Sequence, residues 1–244
     1  MVAPTMAVVL EGVRQSYARG AKALEVLRGV SLSVRRGECV FLAGPSGSGK
    51  SSLLSVTGCL LTPVSGRVTV LGQDIARLAP CDRAKFRLER IGFLFQRFHL
   101  IRGLTAIENA MVPLVLQGEP WTSARARAAQ VLKDLGMLQD ADADPRRLSV
   151  GQCQRVALAR ALATDPDLIL ADEPTASLDW ANGRHVIKLL RALAHEQGKT
   201  VIGVTHDQRI LPYCDRVLHL EDGVVHEQHA EASPAAFLQG ALSK

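Results

Sequence analysis

The chain has 244 residues, enough to bury a large core as one elaborated domain or two small ones. Apolar residues make up 47% of it, which excludes a disordered chain, and no apolar run approaches the roughly eighteen residues that span a bilayer. A net charge of +5 suits a nucleotide or an anionic surface and selects neither. The first ten residues lack the basic start of a signal peptide. The five cysteines (Cys39, Cys59, Cys81, Cys153, Cys214) show no C-x-x-C spacing, so a cytosolic chain with reduced, structural thiols is expected.

In chain order, short alternating segments at 8–17, 30–34 and 66–72 have the pattern of antiparallel strands. The continuous apolar run 39–43 empties into a Gly/Ser-rich loop and then an apolar segment, which reads as strand, loop, helix. Similar runs recur at 167–171 and 200–205, as expected of strands buried on both faces of a parallel sheet. Between them 178–197 reads as a helix with Val186, Leu189, Leu190 and Leu193 on one face. Strand, helix, strand is α/β architecture. Residues 97–155 read as an inserted helical subdomain between core segments 6–96 and 156–226. In it Thr105 and Glu108 form a capping box, Pro113 is expected to kink the helix downstream of that box, and a second helix runs from about Ser123 to Leu135. The arginines between 83 and 90, with Arg125 and Arg127, read as solvated helix faces. From Gly223 onward the chain is polar and weakly patterned, and 227–244 is taken as a tail.

Chemistry concentrates at Gly44-Pro45-Ser46-Gly47-Ser48-Gly49-Lys50-Ser51, a full phosphate-loop match between strand and helix. Backbone N–H groups there can close around a triphosphate at a helix N-terminus, Lys50 can reach the β and γ phosphates, and the Ser51 hydroxyl can ligate Mg²⁺. The strand ending at Asp172 places a carboxylate at the ligand edge of the sheet, where it can hold the Mg²⁺ shell, and Glu173 can deprotonate an attacking water. Alone, two adjacent acids are an ordinary solvated turn; beside a phosphate loop they read as catalytic. Gln96 is a candidate for metal and water contact, against a plain surface glutamine. His206, at the end of a strand, is a candidate γ-phosphate donor, against a satisfied structural histidine. Tyr17 can stack on adenine, against a half-buried edge tyrosine. Finally, Ser149 and Gln152 form a Ser-x-x-Gln capping box ahead of an apolar helix, but a cap does not account for Gly151 in its first turn.

Taken together, 44–51, Gln96, 148–155, 168–174, 175–179 and Thr205-His206-Asp207 resemble, in order and spacing, the ATP-binding subunits of ABC transporters over about residues 6–226. The segments 91–96, 100–109, 205–210 and 220–224 resemble the branch serving lipoprotein release, macrolide efflux, haem efflux and DevA-type glycolipid export. The resemblance implies a P-loop NTPase (RecA-like) core with an antiparallel β subdomain and an inserted α-helical subdomain, using ATP and Mg²⁺. It implies a head-to-tail dimer sandwiching two ATPs. In that dimer Tyr17 faces adenine, Gly44 to Ser52 cradle phosphates, and Gln96 senses the metal. Ser149, Gly151 and Gln152 reach the partner's γ-phosphate, Asp179 lines the seam, Glu173 is the base and His206 the γ-phosphate switch. Its implied partners are a second copy, an integral membrane permease at the inner face of the plasma membrane and, through it, a periplasmic adaptor; nucleic acid is not among them. A transporter-like ATPase that regulates a membrane partner without moving a substrate is the alternative. Val150 stands where the family signature has glycine, and it is expected to cost little if it is the first helical residue after the cap.

Overall fold

The structure, a computed structural model, describes residues 5–19, 22–176 and 178–227. The alternating start forms two long strands, β1 (Met6–Arg19) and β2 (Lys22–Arg35), paired antiparallel. The apolar run comes next as β3 (Cys39–Ala43), and after the glycine-rich loop comes α1 (Lys50–Thr57). Strands β4 (Ser65–Val70) and β5 (Gln73–Asp74) complete a four-stranded antiparallel sheet in the order β2-β1-β4-β5. Next come α2 (Pro80–Arg90), which carries the arginines and has no fully buried residue, and β6 (Ile91–Leu94).

The helical insertion holds α3 (Ala106–Leu116) and α4 (Trp121–Asp134), and leads into α5 (Val150–Leu162). The capping box of Thr105 and Glu108 is formed, and Pro113 lies inside α3 without ending it. Helix α4 begins at Trp121, two residues before the expected start, because Pro120 supplies its N-cap with a preset extended backbone. The chain then returns through β7 (Leu168–Asp172), α6 (Trp180–Gln197), β8 (Thr200–Thr205) and β9 (Arg216–Glu221). It closes on β10 (Val224–Glu227), which pairs antiparallel with β9 across the turn at Asp222 and Gly223. The weakly patterned stretch therefore begins with a strand, made by an edge whose hydrogen bonds need no hydrophobic period. The rest of the expected tail, 228–244, lies outside the described residues, as does Ser177.

The second sheet has six strands, β10-β9-β3-β8-β7-β6, parallel except for β10. It separates two cores. Cys39 and Phe41 of β3 face the core shared with α3, α4, α5 and α6, whereas Val40 and Leu42 face the one shared with α1 and the antiparallel sheet. Burial on both faces is why β3 lacks alternation in its sequence. In register, Ala43 lies opposite Thr205, and Val204 opposite Asp172. Strands β3, β8 and β7 therefore end side by side.

Candidate functional site

At that common edge the three strands release their most polar residues. After β3 the chain turns through the phosphate loop into α1, whose N-cap, Gly49, has φ 105° and no side-chain capping bond. A side chain at Gly49 would be strained and would meet the Val26 carbonyl oxygen at 2.5 Å, so glycine is required there. The first-turn N–H groups of α1 are left uncapped, the usual condition for binding an anion. Lys50 is buried, with its Nζ donating to the carbonyls of Gly44 (2.7 Å) and Pro45 (2.9 Å), which holds the ammonium across the mouth of the loop. Ser48 Oγ is buried without a hydrogen-bond partner among the described residues. A loop with unspent donors and a fixed cation fits a polyphosphate.

Ser51 Oγ donates to Asp172 Oδ1 at 3.1 Å, so helix α1 and strand β7 bring two oxygen donors together. Burial raises the Asp172 carboxyl above its usual range, more than the Ser51 bond lowers it, so a cation beside it would relieve a desolvated charge. Glu173 comes next at φ 48°, in the left-handed region that a residue with a side chain occupies at a cost of about 1–3 kcal/mol. Its N–H donates to Val204 O, and its carboxylate accepts from His206: Nδ1 lies 2.9 Å and the backbone N 3.2 Å from Oε2. His206 is exposed while Glu173 is mostly covered. Beyond it Asp207 holds Arg209 by two bonds of 2.8 Å, which keep the Asp207 carboxyl below its usual range. The Arg209 guanidinium lies 5.0 Å over the Trp180 ring at the start of α6.

The junction before α5 folds as the sequence suggests. Ser149 is an extended N-cap, its Oγ accepts from Gln152 N–H (3.3 Å), and Gln152 Oε1 accepts from Ser149 N–H (2.8 Å). Gln152 Nε2 also donates to Asp140 Oδ2 at 3.0 Å. A side chain at Gly151 would lie 3.6 Å from Asn182, an ordinary contact, so nothing among the described residues demands glycine there. Asp179 caps α6 by accepting from Asn182 N–H and Nδ2, bonds that hold its carboxyl below the usual range.

The model of the ABC transporter family matches residues 27–176. The chain belongs to that family. It is 40% identical, over 96% of its length, to the macrolide export ATP-binding/permease protein MacB of Shewanella sp. (strain W3-18-1), and 42% identical over 92% to MacB 1 of Aeromonas hydrophila. The chain spans about a third of the length of these relatives, 36% and 35%. Among solved structures, the dimeric post-hydrolysis state of the ATP-binding cassette MJ0796 bound to ADP and Pi matches at a TM-score of 0.86 and 40% identity, over 93% of this chain and all of that one. The protein thus has the P-loop fold of an ATP-binding cassette.

In this cassette the expected site residues fall into groups. Residues 44–52, Asp172, Glu173 and His206 share one sheet edge, and Tyr17 joins them through its hydroxyl, 3.2 Å from Ser52 Oγ. Gln96 lies two residues beyond β6, exposed, on a loop tied to α5 by Arg160 bonds to the carbonyls of Phe98 and His99; its side chain makes no hydrogen bond among the described residues. Ser149, Gly151 and Gln152 lie at the start of α5 and Asp179 at the start of α6. Three contacts had no signal in the sequence: Asp140 on Gln152, Arg209 on Trp180, and buried Gln154, whose Nε2 donates to the carbonyl of Pro174 next to Glu173. Each joins residues brought together only by the fold.

Proposed function

We propose that this cassette energises a membrane exporter by closing on ATP as a head-to-tail dimer and reopening after hydrolysis. The observation that carries this is the shared edge of β3, β7 and β8, where uncapped donors, Lys50, the Ser51–Asp172 pair and the Glu173–His206 pair converge. Gly44 to Ser52 hold the phosphates and Tyr17 lies against the base. Ser51 and Asp172, together with Gln96, would hold Mg²⁺, which would offset charge on the phosphate oxygens. Glu173 takes a proton from water, and His206, already bonded to it, reports whether a γ-phosphate is present.

Ser149 and the first N–H groups of α5 meet the ATP held by the second copy, with Asp179 at the seam. That Gly151 has room for a side chain among the described residues supports this, because close approach of a partner would account for glycine there. As the ATP-binding/permease relatives suggest, the force acts through a permease segment, with the cassette on the inner face of the plasma membrane; among the described residues no helix is long and apolar enough to cross a membrane. Through that permease it serves a periplasmic adaptor. Binding can drive such a cycle only through different affinities for the open and closed states.

The test is Glu173→Gln. This variant is expected to bind ATP, to accumulate as closed dimers in sedimentation, and to turn over about 10²–10⁴-fold more slowly. Normal turnover removes Glu173 from the role of base, and a chain that never dimerises with ATP removes the sandwich.

A further inference from the structure

The Gln152 amide has two ends, and both are occupied. Its Oε1 accepts from the Ser149 N–H at 2.8 Å, and its Nε2 donates to Asp140 Oδ2 at 3.0 Å. A backbone N–H can only donate and an ionised carboxylate can only accept, so these partners allow one orientation of the amide. The reciprocal bond of the cap, Gln152 N–H to Ser149 Oγ, is longer at 3.3 Å. The side-chain arm is the tighter half of the capping box, and Asp140 fixes it from behind.

Asp140 is itself immobilised. It ends a 3₁₀ turn, Leu138–Asp140, between buried Met137 and Ala141. Its N–H donates to Met137 O and its carbonyl accepts from Ala143 N–H. The carbonyls of Ala141 and Ala143 in turn accept from Ile107 and Ala106, the first two residues of α3. The carboxylate therefore belongs to a frame pinned to the start of α3, and through Gln152 that frame sets the geometry of the α5 cap.

We infer that Asp140 is a positioning residue: it locks the Gln152 amide so that Ser149 and the first-turn N–H groups of α5 keep the geometry needed to receive a phosphate. This rests on the proposal that the α5 cap meets ATP held by a second copy. It also alters the part given to Gln152. With both ends of its amide committed inside the chain, Gln152 shapes the cap, while the Ser149 hydroxyl proton and the N–H groups of Val150 and Gly151 are what the cap offers outward. Without Asp140 the amide is free to rotate, and the Ser149 N–H loses its partner for part of the time.

The test uses ATP-driven dimerisation of the full chain carrying Glu173→Gln, measured by sedimentation, alongside ATP affinity of the dilute single subunit. Asp140→Ala is expected to raise the concentration for half-dimerisation about tenfold, the effect of losing a hydrogen bond to a charged group, and to leave the dilute subunit's ATP affinity unchanged. Asp140→Asn keeps an acceptor and is expected to behave like the parent. Gln152→Glu sets two carboxylates against each other and weakens dimerisation; adding Asp140→Asn restores it, because the asparagine amide then donates to the new carboxylate. The inference is overturned if Asp140→Ala leaves dimerisation unchanged while Ser149→Ala weakens it. It is also overturned if ATP affinity of the dilute subunit falls with Asp140→Ala, which marks a general folding role, or if the double substitution fails to restore. Should neither Ser149→Ala nor Asp140→Ala shift dimerisation, the sandwich itself is rejected.

Discussion

Val150 opens α5 directly after an extended N-cap, is absent from the residues with positive φ, and is half exposed. A β-branched residue at a helix start loses little, because its side chain has no preceding turn to crowd. Replacement by glycine, which the family signature carries there, is therefore expected to change ATPase activity within about threefold, a difference of the size of helix propensities. A gain well beyond that in steady-state hydrolysis means that the valine acts as a brake at the phosphate. Glu173 is the opposite case. It holds a left-handed backbone that its own chemistry does not favour, and the bonds from His206 and to Val204 are what keep it there. The same turn that strains Glu173 aims its carboxylate at the shared strand edge.

At the scale of elements, the segment before α3 depends on one buried side chain. Asn109 accepts from Ile101 N–H at 2.7 Å and donates through its two Nδ2 hydrogens to the carbonyls of Leu104 (3.1 Å) and Thr105 (3.0 Å), and it is fully buried. Asn109→Leu is expected to lower stability by about 1–3 kcal/mol in urea unfolding, the cost of leaving such groups unpaired. An unchanged midpoint removes Asn109 from that role. Its place in the sequence, inside an apolar helix, gave no hint of this. What was legible were the unbroken strands β3, β7 and β8, the caps at Thr105 and Ser149, and the phosphate loop, all of which rest on local spacing. Strand β10 was hidden because an edge strand needs only a neighbour's backbone. The grip of Asp140 on Gln152 was hidden because a twelve-residue separation matches no helical or strand period.

Across the whole molecule, the phosphate loop and the Glu173–His206 pair sit on the edge of the six-stranded sheet, whereas the α5 cap belongs to the helical side. One chain binding ATP engages the first set; only a pair of chains in the proposed arrangement engages the second. The first-turn N–H groups of a helix lack partners within it and so exchange readily with solvent. Contact with a phosphate protects them directly. In dilute solution, ATP at about a hundred times its dissociation constant should stabilise the single chain by about 2.7 kcal/mol and slow hydrogen exchange in the loop before α1 and at the ends of β7 and β8. Exchange at Val150 and Gly151 should stay fast there, and slow only when the Glu173→Gln chain is concentrated enough to pair. The concentration dependence separates the two sets because ATP held by the chain's own loop is present in both samples. Protection of the α5 cap in the dilute, unpaired chain would place that cap against its own nucleotide, and the head-to-tail arrangement would have to be abandoned.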